Sequence, residues 1–172
     1  KIDGEIERLI KTLGDETDMN KTNKTATDIQ ELFKRCVFTN SQKKEISEYY
    51  RLLGELYQTT DLSVAVRSSA VAEDLPNASF AGQQDTYLNI SGLEEVYQKV
   101  KECFASLFNT RAISYRQTHK ISFRDVLISV GIQKMIRSDL GSAGVAFSLD
   151  PETGYDKAIV INSSYGLGEL VV

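Results

Sequence analysis

The chain has 172 residues, 41% hydrophobic and 26% charged, an ordinary globular composition that excludes a disordered tract, a collagen-like repeat or a coiled-coil array. Its 20 Lys and Arg against 24 Asp and Glu leave a net charge of -4, so no global positive field draws in a polyanion and nucleic-acid binding is disfavoured. It contains no run of about 18 apolar residues, which argues against a membrane-spanning helix.

The first sixty residues read as a mainly helical segment of the same domain as residues 61–172. Ile2, Ile6, Leu9 and Ile10 are spaced for one helical face, and a polar break is expected from Gly14 to Thr25. Thr27 or Asp28 is then expected to cap a helix bearing Ile29, Leu32, Phe33 and Cys36. A third helix is expected from about Ser41 to Thr59, with Ile46, Tyr49, Tyr50, Leu53, Leu56 and Tyr57 facing inward. Two cysteines, Cys36 and Cys103, form no metal-ligand cluster; they read as reduced, buried thiols and point to a cytoplasmic protein. With no initiating Met and an apolar Leu170-Val171-Val172 end, the chain reads as a piece of something longer.

From Leu62 the composition shifts towards small and β-branched residues. Val64 to Val66 reads as a short buried strand ending in Arg67-Ser68-Ser69, and Asp85 to Ile90 alternates as a second strand without revealing which face is buried. Helical spacing returns over Leu93–Phe108 and Thr110–His119. Strands are then expected at 126–136, 143–149 and 158–162. Turn formers at Ser138–Gly141 and Asp150–Gly154 separate these strands, so consecutive ones are expected to pair antiparallel.

Two stretches carry chemistry. In Val66 to Gln84, VRSSAVAEDLPNASFAGQQ, an arginine leaves a strand and a loop of small residues follows. Small side chains let backbone N–H groups approach phosphate oxygens, and a guanidinium offers a planar, permanently charged fork. A plain surface turn with Arg67 in an ion pair is the competing reading, and the P-loop pattern is absent. In Tyr165-Gly166-Leu167-Gly168-Glu169, the glycines allow unusual dihedrals that would aim Glu169 at a Mg²⁺ ion; a glycine-rich turn with an exposed Glu competes with this. His119, the only histidine, sits in a polar helix-end pattern and reads as a surface residue. Asp150 reads as a turn starter, and Gln133 to Met135 as the end of a core strand.

VAVRSSAVAEDLPNASFAGQQDTYLNI (Val64–Ile90), ECFASLFNTRAISYR (Glu102–Arg116), QKMIRSDLGSAGVAFSLDPETG (Gln133–Gly154) and YGLGE (Tyr165–Glu169) occur in unbroken order. Together they resemble the nucleotide-binding domain of the phosphoenolpyruvate synthase and pyruvate phosphate dikinase family. Rifampin phosphotransferases carry a similar ASFAGQQ loop and are the alternative, with a non-catalytic nucleotide-binding or regulatory module as a third reading. The resemblance implies an α+β, ATP-grasp-like domain, with a helical N-terminal segment followed by a mixed, largely antiparallel sheet. Its ligands would be ATP and Mg²⁺. Carried over by position, Arg67, Ser68 and the loop Ser79, Phe80, Ala81, Gly82, Gln83 and Gln84 would hold phosphates. Gln133, Lys134 and Met135 would lie beside adenine, and Glu169 would ligate the metal. The implied partners are phosphohistidine and pyruvate-binding domains of the same full-length chain, which is compatible with a homodimer. No catalytic residue is expected within this segment. The family's Gly-Gly-Lys segment near the N-terminus is not found here.

Overall fold

The computed structural model describes residues 2–14, 18–70, 85–168 and 171. The chain divides into two units, Lys1–Met135 and Ile136–Val172.

In the first unit, α1 (Ile2–Leu13) buries Ile6 and Leu13 along the expected stripe. The second helix, α2 (Met19–Arg35), begins well before the expected cap, because Asp18 does the capping: its carboxylate accepts from the N–H groups of Asn20 (2.9 Å) and Lys21 (3.4 Å). The expected polar break is therefore largely helix. Thr22 and Thr25 are buried on the same face as Ala26 and Ile29, and the Thr22 hydroxyl donates to the Asp18 carbonyl at 3.0 Å, which removes the cost of hiding it. The third helix, α3 (Asn40–Leu56), starts with a reciprocal capping box between Thr39 and Gln42. Ile46, Tyr50 and Leu53 face inward as expected, whereas Tyr49 and Leu56 are 66% and 71% exposed and Tyr57 is also largely exposed. Tyr50 latches this helix in place: its hydroxyl donates to the Leu62 carbonyl at 2.7 Å and accepts from the Gly92 N–H at 3.1 Å.

The strands β1 (Val64–Ala70), β2 (Thr86–Ile90) and β3 (Ile128–Lys134) form a three-stranded antiparallel sheet in the order β2-β1-β3. Between β2 and β3 run α4 (Leu93–Ala105), a 3₁₀ turn (Ser106–Phe108) and α5 (Thr110–His119), whose bounds match the expected ones. One core cluster joins α1 and α2 to the 3₁₀ turn and α5 through Ile6, Ile29, Leu107, Phe108 and Ile113. A second lies between the sheet and α4, around Val64, Val66, Ile90, Val96, Val100 and Cys103. Both cysteines are free. Cys103 is fully buried, and burial pushes its thiol up to about 11, while Cys36 is only half-buried.

The second unit contains the antiparallel hairpin β4 (Ser142–Phe147) and β5 (Val160–Tyr165). Asp150 does start the connecting turn, accepting from the Glu152 N–H at 3.0 Å and the Thr153 hydroxyl at 2.5 Å. The expected pairing of consecutive strands fails between β3 and β4, which belong to different sheets. Ser138–Gly141 forms a 3₁₀ turn, preceded by Arg137 bound in a fork to Asp139, instead of a hairpin.

Among the described residues no helix is long and apolar enough to cross a membrane. The architecture is mixed α+β with small antiparallel sheets.

Gly54, buried near the end of α3, permits a close return of the chain. A Cβ there would lie 2.7 Å from the Thr59 carbonyl oxygen, a rigid backbone atom. Gly54→Ala is expected to lose about 1–3 kcal/mol to this overlap, more than the ~1 kcal/mol that alanine gains in a helix interior. Thermal denaturation checks this: a raised melting temperature would mean that the turn opens freely.

Candidate nucleotide-binding face

Alternation along β1 decides where its side chains go. Val64 and Val66 are fully buried against α4, so Ala65, Arg67 and Ser69 project to the opposite face. Antiparallel register sets Arg67 across from Thr86 of β2 on one side and Gly131 of β3 on the other. Both neighbours are short, and Arg67 stands exposed between them. Among the described residues it makes no salt bridge.

The same register sets Gln133 across from Ala65 and Ser129 across from Ser69, so Gln133, Gly131 and Ser129 share the face of Arg67. Gln133 is exposed there. Lys134, one residue on, turns to the other side, where its ammonium lies 4.4 Å from the centroid of the Tyr57 ring. Met135 is half-buried and extends the pairing with its N–H on the Ser63 carbonyl at 2.9 Å. The sheet thus brings Arg67 and Gln133 together and sends Lys134 away from them.

Ser68 also leaves the Arg67 face. Half-buried on the α4 side, its hydroxyl donates to the Asp85 carbonyl at 3.4 Å. Asp85 ends the segment that links β1 to β2, and the adjacent Thr86 pairs with Arg67, so the returning end of that segment lies next to the arginine. Ser79, Phe80, Ala81, Gly82, Gln83 and Gln84 fall within this segment and outside the described residues, as does Glu169. Of the two glycines before Glu169, Gly166 takes the left-handed region at φ +89°, and its N–H donates to the Gly141 carbonyl at 3.0 Å. His119 is exposed at the end of α5, its ring 4.2 Å from that of Tyr115.

Asp85 gathers further contacts beside the loop end. Its carboxylate accepts from the Tyr87 hydroxyl at 3.4 Å, and partial burial together with that negative charge pushes the phenol well above its ordinary range. The sequence reading missed Thr86, Ser129 and Gly131 as companions of Arg67. The alternation of half-buried and exposed positions along β3 is the signal that carries the last two. Among the described residues no group of three or more acidic, His or Cys side chains is arranged to hold a metal ion.

A family model described as the pyruvate phosphate dikinase AMP/ATP-binding domain matches residues 1–172. Among curated relatives, the phosphoenolpyruvate synthase of Aquifex aeolicus (strain VF5) is 50% identical over 155 residues, 90% of this chain and 18% of the relative. That of Helicobacter pylori is 50% identical over 158 residues, 92% of this chain and 20% of the relative. That of Deinococcus radiodurans is 45% identical over 172 residues, covering 100% of this chain and 21% of the relative. The chain therefore spans about a fifth of the length of these relatives. With a match that runs its whole length, the chain belongs to the pyruvate phosphate dikinase AMP/ATP-binding domain family.

Proposed function

We propose that this chain is the ATP-binding part of a cytoplasmic phosphoenolpyruvate synthase with an ATP-grasp architecture, residues 61–172 forming its nucleotide-binding region. The overall reaction would convert ATP, pyruvate and water to AMP, phosphoenolpyruvate and phosphate, through a phosphohistidine and a pyruvate-binding domain elsewhere in the full-length chain. The observation that carries the reading is Arg67: exposed, without a salt bridge among the described residues, and paired across the sheet with Thr86, where the loop between β1 and β2 returns. In this reading Arg67 grips phosphate oxygens through its planar fork, and the Ser79–Gln84 backbone closes over them. Ser68 supports the loop through Asp85. Gln133 to Met135 border the adenine, Gln133 on the arginine's face and Lys134 on the opposite one.

Phosphoryl transfer asks the protein for positioning and charge neutralisation more than covalent work. A Mg²⁺ ion would neutralise the phosphates. It is usually held by one or two carboxylates and completed by substrate phosphates and water, a donor set that a single Glu169 suits.

AMP formation by the full-length protein, followed against pyruvate and Mg²⁺, tests the reading. AMP release should depend on pyruvate, and Glu169→Gln should raise the Mg²⁺ concentration for half-maximal rate by roughly tenfold, since an amide is a poor ligand for a hard dication. An unchanged Mg²⁺ titration would return Glu169 to a surface turn; pyruvate-independent AMP release would shift the acceptor to another class.

A further inference from the structure

Arg116, the last residue of the Glu102–Arg116 motif, lies on α5 and is only 4% exposed. Its Nε donates to the Ala112 carbonyl at 3.1 Å and its Nη2 to the Leu107 carbonyl at 2.7 Å, while its plane rests 5.1 Å from the Phe108 ring centroid. Nη1 is buried with no hydrogen-bond partner, and so is the Oε1 of the adjacent Gln117. Burial pulls the guanidinium down to about 10, which still leaves it charged at neutral pH. Among the described residues no carboxylate balances it. A buried charge without a counter-charge is costly.

Arg116 forms part of the wall of a cavity of about 790 Å³ between α1 and α5, within the range of small-molecule sites. Lys11 and Lys120 also line it, and none of the described residues that line it is acidic. Lys11 is already paired with Glu7 at 3.2 Å, which leaves Arg116 and Lys120 as the uncompensated pair of charges. Ile10, Leu13, Ile113, Ile121 and Phe123 supply apolar wall. We propose that this cavity binds a small organic dianion, with a phosphate-monoester or dicarboxylate head at Arg116 and Lys120 and an apolar body against Ile113 and Phe123. Two cations match the charge of a dianion, and a bound oxyanion would supply the counter-charge that Arg116 lacks among the described residues.

The test uses the full-length protein saturated with a non-hydrolysable ATP analogue, titrated calorimetrically with phenyl phosphate, orthophosphate and succinate. The expected result is one saturable equivalent for phenyl phosphate or succinate. Which of the two binds identifies the head group, and orthophosphate should bind more weakly than phenyl phosphate because it lacks the apolar body. Lys120→Glu, at an exposed position, should weaken that equivalent at least tenfold while leaving nucleotide affinity unchanged, and Arg116→Gln should abolish it. Should Arg116→Gln fail to fold, Lys120→Glu decides alone. A binding event insensitive to Lys120→Glu, or none, overturns the proposal. So does binding that appears only after Asp15→Asn and Glu16→Gln, since the chain's own carboxylates, next to Gly14 of the cavity wall, would then be the anion.

Discussion

Replacing Arg67 with alanine in the full-length protein is expected to weaken ATP binding by about 1.5–3 kcal/mol, the range for hydrogen bonds to charged groups, or roughly 10- to 100-fold. The fold should be unaffected. Arg67 is exposed on the face of β1 opposite α4, across from the short residues Thr86 and Gly131. Calorimetric titration with a non-hydrolysable ATP analogue, paired with a thermal melt, separates the two effects. Unchanged affinity with an unchanged melt would show that the nucleotide lies elsewhere, whereas a large drop in melting temperature would make Arg67 a structural residue. Arg67→Lys sharpens the result: if the phosphates are held by the planar fork and not by charge alone, lysine should recover only part of the loss.

A second large effect is expected in the helical core. Ile29 is completely buried at the centre of a cluster that joins α1, α2, the 3₁₀ turn and α5. Truncation to alanine removes three carbons and leaves a void bounded by separate elements that cannot all collapse inward, so the expected loss is about 2–5 kcal/mol. At about 2–4 °C per kcal/mol for a chain of this size, the melting temperature should fall well beyond experimental error. Ile29→Val, which removes one carbon, should cost about 0.5–1.5 kcal/mol. Chemical denaturation of both variants checks the gradation. Equal, small losses would indicate that α2 is loosely packed and that the cluster does not hold the helices together.

Helical spacing was legible wherever apolar residues mark a face. The bounds of α5 and the existence of α1, α3 and α4 follow from such patterns. The start of α2 did not, because Thr22 and Thr25 look polar in a sequence, yet both are buried, Thr22 with its hydroxyl taken up by the Asp18 carbonyl four residues back. Tyr49 and Leu56 fail in the opposite sense: their spacing fits an inward face, yet that part of α3 has no neighbour to cover it among the described residues. Arg116 reads as an ordinary polar helix residue, and only the carbonyls of Ala112 and Leu107 and the Phe108 ring make its burial tolerable.

By itself the sequence determined the family, through four ordered motifs, together with most of the helix and strand content; that Arg67 and Ser68 face opposite ways came only with the sheet. Strand partners were beyond it. β3 joins β1 across a separation of 60 positions, as at Ser69 and Ser129, while β4 pairs with β5 and not with β3. Local turn chemistry reports where a chain can reverse, but pairing is settled by which edges and faces remain open when distant segments meet. That choice places Gln133 beside Arg67 and Lys134 over Tyr57: a period of two divides a strand's side chains between two faces, and only the packing of α4 on one of them decides which is left free for a ligand.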